Sequence, residues 1–224
     1  MDLIKDFGGT VINLLYLSII ILMLYYRKHL GKHIGIVIAA MTVTLLTETT
    51  TVVLQRMHII KFTTPYYVVG IIGIVYLLFL LYFYKLMQNP QLKKIQLGIV
   101  AAHIINFSVS AVLNENFFNV FPDITNFTSI FLILVSLFIF LNDTFNSDKI
   151  LLIKAFFPFF VAVSLTFIYV GLVPILFFSN RIILETEKLI FYIMLYSINI
   201  IGYSIMLAGI FFAKNQKKKH NLIV

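Results

Sequence analysis

A bundle of seven membrane-crossing helices, all-α and polytopic, is the fold class this sequence predicts, and three observations predict it. Seven apolar stretches, each long enough to cross a bilayer, fill nearly all of the 224 residues. The chain is 61% hydrophobic and 12% charged, with a mean hydropathy of +1.00, more apolar surface than a soluble domain of this size can hide. Its basic residues also crowd into alternate gaps between those stretches, the pattern that orients membrane helices.

A helix rises ~1.5 Å per residue, so ~20 apolar residues cross a ~30 Å hydrocarbon core. In chain order the spans are 8–26, 34–54, 66–87, 95–113, 124–142, 150–178 and 189–212. The first ends at the basic run Arg27-Lys28-His29-Leu30-Gly31-Lys32-His33. The second carries Thr47-Glu48-Thr49-Thr50-Thr51, and the third carries Gly70 and Gly73, small residues that let neighbouring helices approach. Gln88-Asn89-Pro90-Gln91-Leu92-Lys93-Lys94 separates the third from the fourth. The longest gap runs from Asn114-Glu115-Asn116 to Phe121-Pro122-Asp123, and Asn142 to Asp148 follows the fifth span. Pro, Asn, Asp and Gly at these points are ordinary helix breakers. The sixth run contains Pro158 and Pro174, so it is tilted, kinked or partly outside the core. Strands are disfavoured, because barrel strands are short and alternate apolar with polar residues. No gap is long enough for a separate domain, so residues 1–224 read as a single membrane domain.

Orientation follows from the basic residues. One set of gaps holds Arg27, Lys28, Lys32, Lys85, Lys93, Lys94, Lys149, Lys154, Lys214 and Lys217 to Lys219; the other holds Lys5, Arg56, Lys61, Arg181 and Lys188. Twelve against five puts the first set in the cytoplasm, with the N-terminus outside and the C-terminus inside. The net charge of +8 is thereby explained by topology, and Lys217-Lys218-Lys219 reads as a contact with anionic headgroups rather than with nucleic acid. Asp2 and Asp6 flank a single Lys5 where a secretory signal needs a basic segment. The Ile, Phe, Asn and Lys bias without Trp suits an AT-rich genome, and a bacterial inner membrane, crossed several times, is the expected location.

Polar residues inside spans are expensive and point first to function. Glu48 is the acidic residue well inside a predicted span, ~6 Å into the outer half. Thr44, Thr47 with Glu48, Thr51 and Gln55 share one helical face. His103, Asn106, Ser110 and Asn114 repeat that spacing in the fourth span, as do Tyr192, Tyr196, Asn199 and Tyr203 in the seventh. Glu48, Thr44, Thr47, Thr51, His103, Asn106, Tyr196 and Asn199 are therefore the candidate ligand or ion site. Thr, Asn and His also hydrogen-bond structurally across membrane helices, so packing is the competing reading. Glu48 stands apart, because an ionised carboxylate at that depth needs a partner or water. Tyr25, Tyr26, Tyr66, Tyr67, Tyr82 and Tyr84 read as interface anchors, and the Phe156–Phe160 and Phe177–Phe178 clusters as lipid-facing or packing bulk.

Several chemistries are excluded. His29 and His33 have a metal-like spacing but sit among Arg27, Lys28 and Lys32 around a glycine, so no metal is expected. With no cysteine there are no thiolate ligands or nucleophiles, and the carboxylate pairs and phosphate-cradling loops of enzymes are missing. No lysine lies between Lys188 and Lys214, which rules out a retinal Schiff base in the seventh span. No cofactor is expected.

Pro158-Phe159-Phe160, Tyr169-Val170-Gly171, Pro174 and Phe177-Phe178, with Asn114 and Phe117-Phe118 before them, carry a resemblance covering the second half of the chain. It resembles uncharacterised seven-helix membrane proteins of AT-rich bacteria, some encoded beside sensor histidine kinases. The Trp that usually follows the proline in those proteins is missing here. The resemblance implies a signalling neighbourhood and a membrane or cytoplasmic partner such as a histidine kinase. The functional expectation is a sensory or signalling protein with an outer-half ligand pocket around Glu48. A small-solute or ion transporter or channel is the alternative, and a lipid-acting membrane enzyme comes third.

Overall fold

Proline, asparagine and glycine set the helix boundaries. In the computed structural model, which describes residues 2–60, 62–179 and 185–220, α1 covers Asp2–Tyr25 and α2 Ile34–Arg56. The turn between them bends at Gly31, whose φ of 98° favours glycine, and at left-handed His33. His29 and His33 therefore do not share a helical face. The third span has three parts: α3 (Thr64–Tyr67), a π-helical stretch Val68–Val75, and α4 (Tyr76–Leu86). α5 (Pro90–Leu113) begins with a proline, which has no amide proton to waste, while the Asn89 side chain accepts from the Gln91 amide at 2.9 Å. α6 (Asp123–Phe145) follows Pro122 and carries Asp123 in its first turn, where the helix dipole favours an acid.

The apolar run 150–178 is not one helix. A 3-10 helix covers Asp148–Ala155, and α7 (Phe157–Ser179) starts at Phe157, with Pro158 in its first turn. The last element is α8 (Glu185–His220). Seven helices are long and apolar enough to cross a membrane, among them Phe7–Tyr25, Thr64–Leu86 and Thr186–Lys214, and the described residues form no strand. Lys61 and Arg181, both counted in the charge split, lie outside the described residues.

Contacts divide the chain into two compact units, Met1–Gly31 with Asp148–Val224, and Lys32–Ser147. In the first, α1 and α7 both pack on α8. The close approach of α7 and α8 is made at glycines: a Cβ on Gly202 would strike the Ile168 side chain, and one on Gly209 the Phe160 side chain. Ser164 Oγ donates to the Gly202 carbonyl at 2.7 Å across that seam. Tyr16 meets Tyr203 edge-on at 4.7 Å, and Lys214 Nζ donates to the Tyr26 hydroxyl at 2.6 Å where α1 and α8 leave the span.

In the second unit, α2 packs on the π-helical stretch and α4, and α4, α5 and α6 pack on one another. The Tyr76 amide returns to the Ile71 carbonyl, five residues back, which is the widened π geometry. The two glycines of that stretch lie where neighbours press in. Thr47 of α2 occupies the place a Gly70 Cβ would take, and the Phe107 ring of α5 lies 3.2 Å from the Gly73 equivalent. Tyr82, expected as an interface anchor, is fully buried and packs against Phe83 at 5.3 Å between ring centres. A tyrosine near the end of a span can face the protein as readily as the headgroups, and sequence position does not distinguish the two.

Candidate functional site

α2 turns Thr44, Thr47 and Thr51 inward, while Gln55 is exposed. The threonine hydroxyls largely serve their own helix: Thr44 donates to the Ala40 carbonyl at 2.9 Å, and Thr51 to those of Thr47 at 2.8 Å and Glu48 at 2.9 Å. Glu48 is half-buried on the same side and reaches a neighbouring helix. Its Oε2 accepts from the Tyr67 hydroxyl at 2.7 Å, where α3 gives way to the π-helical stretch. Among the described residues that phenol is the hydrogen-bond partner found for the carboxylate. A carboxylate offers about four lone-pair sites, so most of its accepting capacity is open.

Deeper in the same unit, α6 supplies a polar stripe that composition alone does not advertise. Asn126, Ser129, Ser136 and Asp143, with Ile133 and Phe140 between them, line one face and are all buried. Asn126 Oδ1 accepts from the Tyr76 hydroxyl at 3.1 Å. Asn106 Nδ2 donates to the Thr125 carbonyl at 3.1 Å and to Ser129 Oγ at 3.2 Å. Further along, Gln96 Nε2 donates to Ser136 Oγ at 2.6 Å and to the Leu80 carbonyl at 3.1 Å. At the far end Asp143 Oδ2 accepts from the Gln88 amide at 3.2 Å, tying the α4–α5 turn to α6.

His103 belongs to this cluster. Its ring centre is 6.4 Å from that of Tyr76. Its Nδ1 is buried without a hydrogen-bond partner among the described residues, as are Gln96 Oε1 and the Tyr82 hydroxyl.

The eight expected site residues thus fall in two places. Glu48, Thr44, Thr47, Thr51, His103 and Asn106 belong to the Lys32–Ser147 unit, whereas Tyr196 and Asn199 are on α8 in the other. There Asn199 Nδ2 donates to the Leu195 carbonyl of its own helix at 2.8 Å. Tyr196 stacks on Tyr192 at 6.1 Å, and its ring fills the place a Gly8 Cβ would occupy.

Sequence reasoning missed Tyr67, Tyr76, Gln96, Asn126, Ser129, Ser136 and Asp143. For α6 the signal was there: polar residues at i, i+3, i+10 and i+17 fall at heptad positions. For Tyr67 and Tyr76 no signal separates a bonded phenol from an anchoring one. No protein family, curated protein or solved structure matches the chain.

Proposed function

We propose that the chain is a sensory or signalling protein of a bacterial inner membrane, crossing it as a seven-helix bundle with its N-terminus outside and C-terminus inside. Its ligand pocket lies in the outer half around Glu48. The observation that carries this reading is the half-buried Glu48 carboxylate, held by Tyr67 and otherwise open to a hydrogen-bond donor or cation. A ligand drawing Glu48 away would release Tyr67 at the end of the π-helical stretch, an irregular element of a kind that recurs at functional sites. Output passes to a membrane or cytoplasmic partner, a histidine kinase being the kind the resemblance implies, and lipids surround the apolar faces.

Glu48→Gln keeps size and polarity, so folding should survive while response weakens. Loss of a charge-assisted bond, ~1.5–3 kcal/mol, is roughly a ten- to hundredfold fall in affinity. Melting temperature and complementation of a deletion strain should be measured for Glu48→Gln and Glu48→Leu; full activity of Glu48→Leu with normal melting would defeat the reading. Reporter fusions at Lys217 and within the Asn114–Asp123 loop should report opposite sides of the membrane, and same-side signals would overturn the orientation.

Transport of a small solute or ion is the second reading, favoured by the polar stripe from Asn126 to Asp143 along α6. Ile133, Leu137 and Phe140, all buried, interrupt that stripe with apolar layers. Proton or cation flux into liposomes containing the purified chain would favour transport over sensing.

A further inference from the structure

Three unspent hydrogen-bond donors meet where α4 gives way to α5. Tyr84 and Lys85 lie near the end of α4, and Lys93 and Lys94 near the start of α5. Lys85 Nζ is 5.8 Å and Lys93 Nζ 5.2 Å from the centre of the Tyr84 ring, both within the range of a cation–π contact. One ring thus gathers two like charges. Among the described residues, neither ammonium forms an ion pair and the Tyr84 hydroxyl makes no hydrogen bond. Tyr26 is the contrast: Lys214 Nζ lies 4.3 Å from its ring centre and donates to its hydroxyl at 2.6 Å, so that pair is closed on itself.

The surroundings do not offset this charge. α5 carries no acid in its first turn, the end at which the helix dipole favours one, whereas α6 places Asp123 there. Asp143 ties the α4–α5 turn to α6 through the Gln88 amide, but it is buried and forms no ion pair among the described residues. Lys93 is half-buried, so salt screens it less than a fully exposed lysine. An ammonium on a flexible four-carbon stem suits a phosphate, to which a phenol can also donate.

The α5 face that continues from Lys94 is apolar and open. Lys94, Gly98, Ala101 with Ala102, and Ile105 follow i, i+4, i+7/i+8 and i+11, and all are exposed. Nothing lies within 4 Å of a Gly98 Cβ, so a shallow lane of small residues leads from the lysines along the span. A free anion would use the donors alone, whereas a phospholipid uses the donors and the lane together.

We infer that Tyr84, Lys85 and Lys93 form a headgroup site for an anionic phospholipid, whose phosphate sits between the two ammoniums and whose acyl chain lies along Gly98 of α5. The site is separate from the Glu48 carboxylate and stands whether the protein signals or transports.

Native mass spectrometry of the full chain in a neutral detergent tests it, titrating phosphatidylglycerol and phosphatidylcholine of matched acyl chains. A lysine near a membrane surface is a matter of roughly fivefold in affinity, so two should favour the anionic lipid by roughly thirtyfold. Lys85→Gln with Lys93→Gln should remove most of that preference. Lys28→Gln with Lys32→Gln, an equal charge change in the α1–α2 turn, should keep it. Tyr84→Phe removes a hydroxyl that bonds nothing among the described residues, so folding should survive while affinity for the anionic lipid falls roughly two- to tenfold. Equal binding of the two lipids would overturn the inference. So would a preference that survives the Lys85 and Lys93 changes, one that falls equally with Lys28 and Lys32, or an unaffected Tyr84→Phe. Displacement of the lipid by inorganic phosphate, beyond a sodium chloride control of equal ionic strength, would overturn it in favour of a free anion.

Discussion

The two units use their polar side chains in different ways. Around α1, α7 and α8, Ser18, Thr166 and Asn199 return to their own helix, as Thr44 and Thr51 do on α2, while Ser164 crosses to the Gly202 carbonyl and Lys214 to the Tyr26 hydroxyl. The α7–α8 seam also closes by shape, with side chains seated over Gly202 and Gly209. Around α2 to α6, polar side chains reach across to neighbours at depth: Tyr67 to Glu48, Tyr76 to Asn126, Asn106 to Ser129, Gln96 to Ser136. A self-bonded hydroxyl is inert in lipid, whereas a cross-helix bond has partners that can be exchanged. Among the described residues, side chain-to-side chain bonds between helices gather in the second unit, which we read as the part with chemistry, and the first, closed on its glycines, as the scaffold.

The largest test strikes the scaffold. Gly202→Ala would put a methyl into the buried Ile168 side chain, with the Ser164 carbonyl 3.4 Å behind it. Overpacking of this kind costs ~1–3 kcal/mol. A clear drop in melting temperature is expected in nanodiscs. Gly98 of α5 has nothing within 4 Å of its Cβ position, so Gly98→Ala should be neutral or stabilising, by up to ~1 kcal/mol through helix propensity. Equal effects at both positions would show that the Gly202 loss does not come from close packing against Ile168.

That asymmetry was only partly legible in the sequence. The seven apolar helices were, because crossing hydrocarbon imposes length and composition on every span. The inward faces of Thr44, Thr47, Thr51 and His103 were legible too, since polar groups at helical spacing avoid lipid. Which helices pair was not: the eight candidate residues divide between the two units, with Tyr196 and Asn199 on α8. The π-helical stretch was also invisible, because Val-Val-Gly-Ile-Ile-Gly-Ile-Val continues an α-helix equally well on local preference. What sets it apart is tertiary: Thr47 and Phe107 both press on its glycines.

The smallest expected effect gives the finest test of the comparison. Gln96 and Ser136 share a 2.6 Å bond between α5 and α6, while the Thr166 hydroxyl bonds Ala162 of its own helix at 2.8 Å. Hydrogen bonds between membrane helices average ~0.6 kcal/mol and reach ~1.7, because the separated helices find other partners. Single substitutions do not isolate that value, since Gln96→Leu also removes the orphan Oε1 and the bond to Leu80. A double-mutant cycle of Gln96→Leu with Ser136→Ala cancels those contributions and leaves the coupling. Measured by reversible unfolding in mixed micelles, the coupling should be ~0.6–1.7 kcal/mol, and Thr166→Ala alone should stay within ~0.5 kcal/mol of wild type. A coupling indistinguishable from zero would mean that polar contacts at this depth hold the α5–α6 seam no better than apolar ones. The division between a packed scaffold and a hydrogen-bonded unit would then fail at the one bond where it is most directly measured.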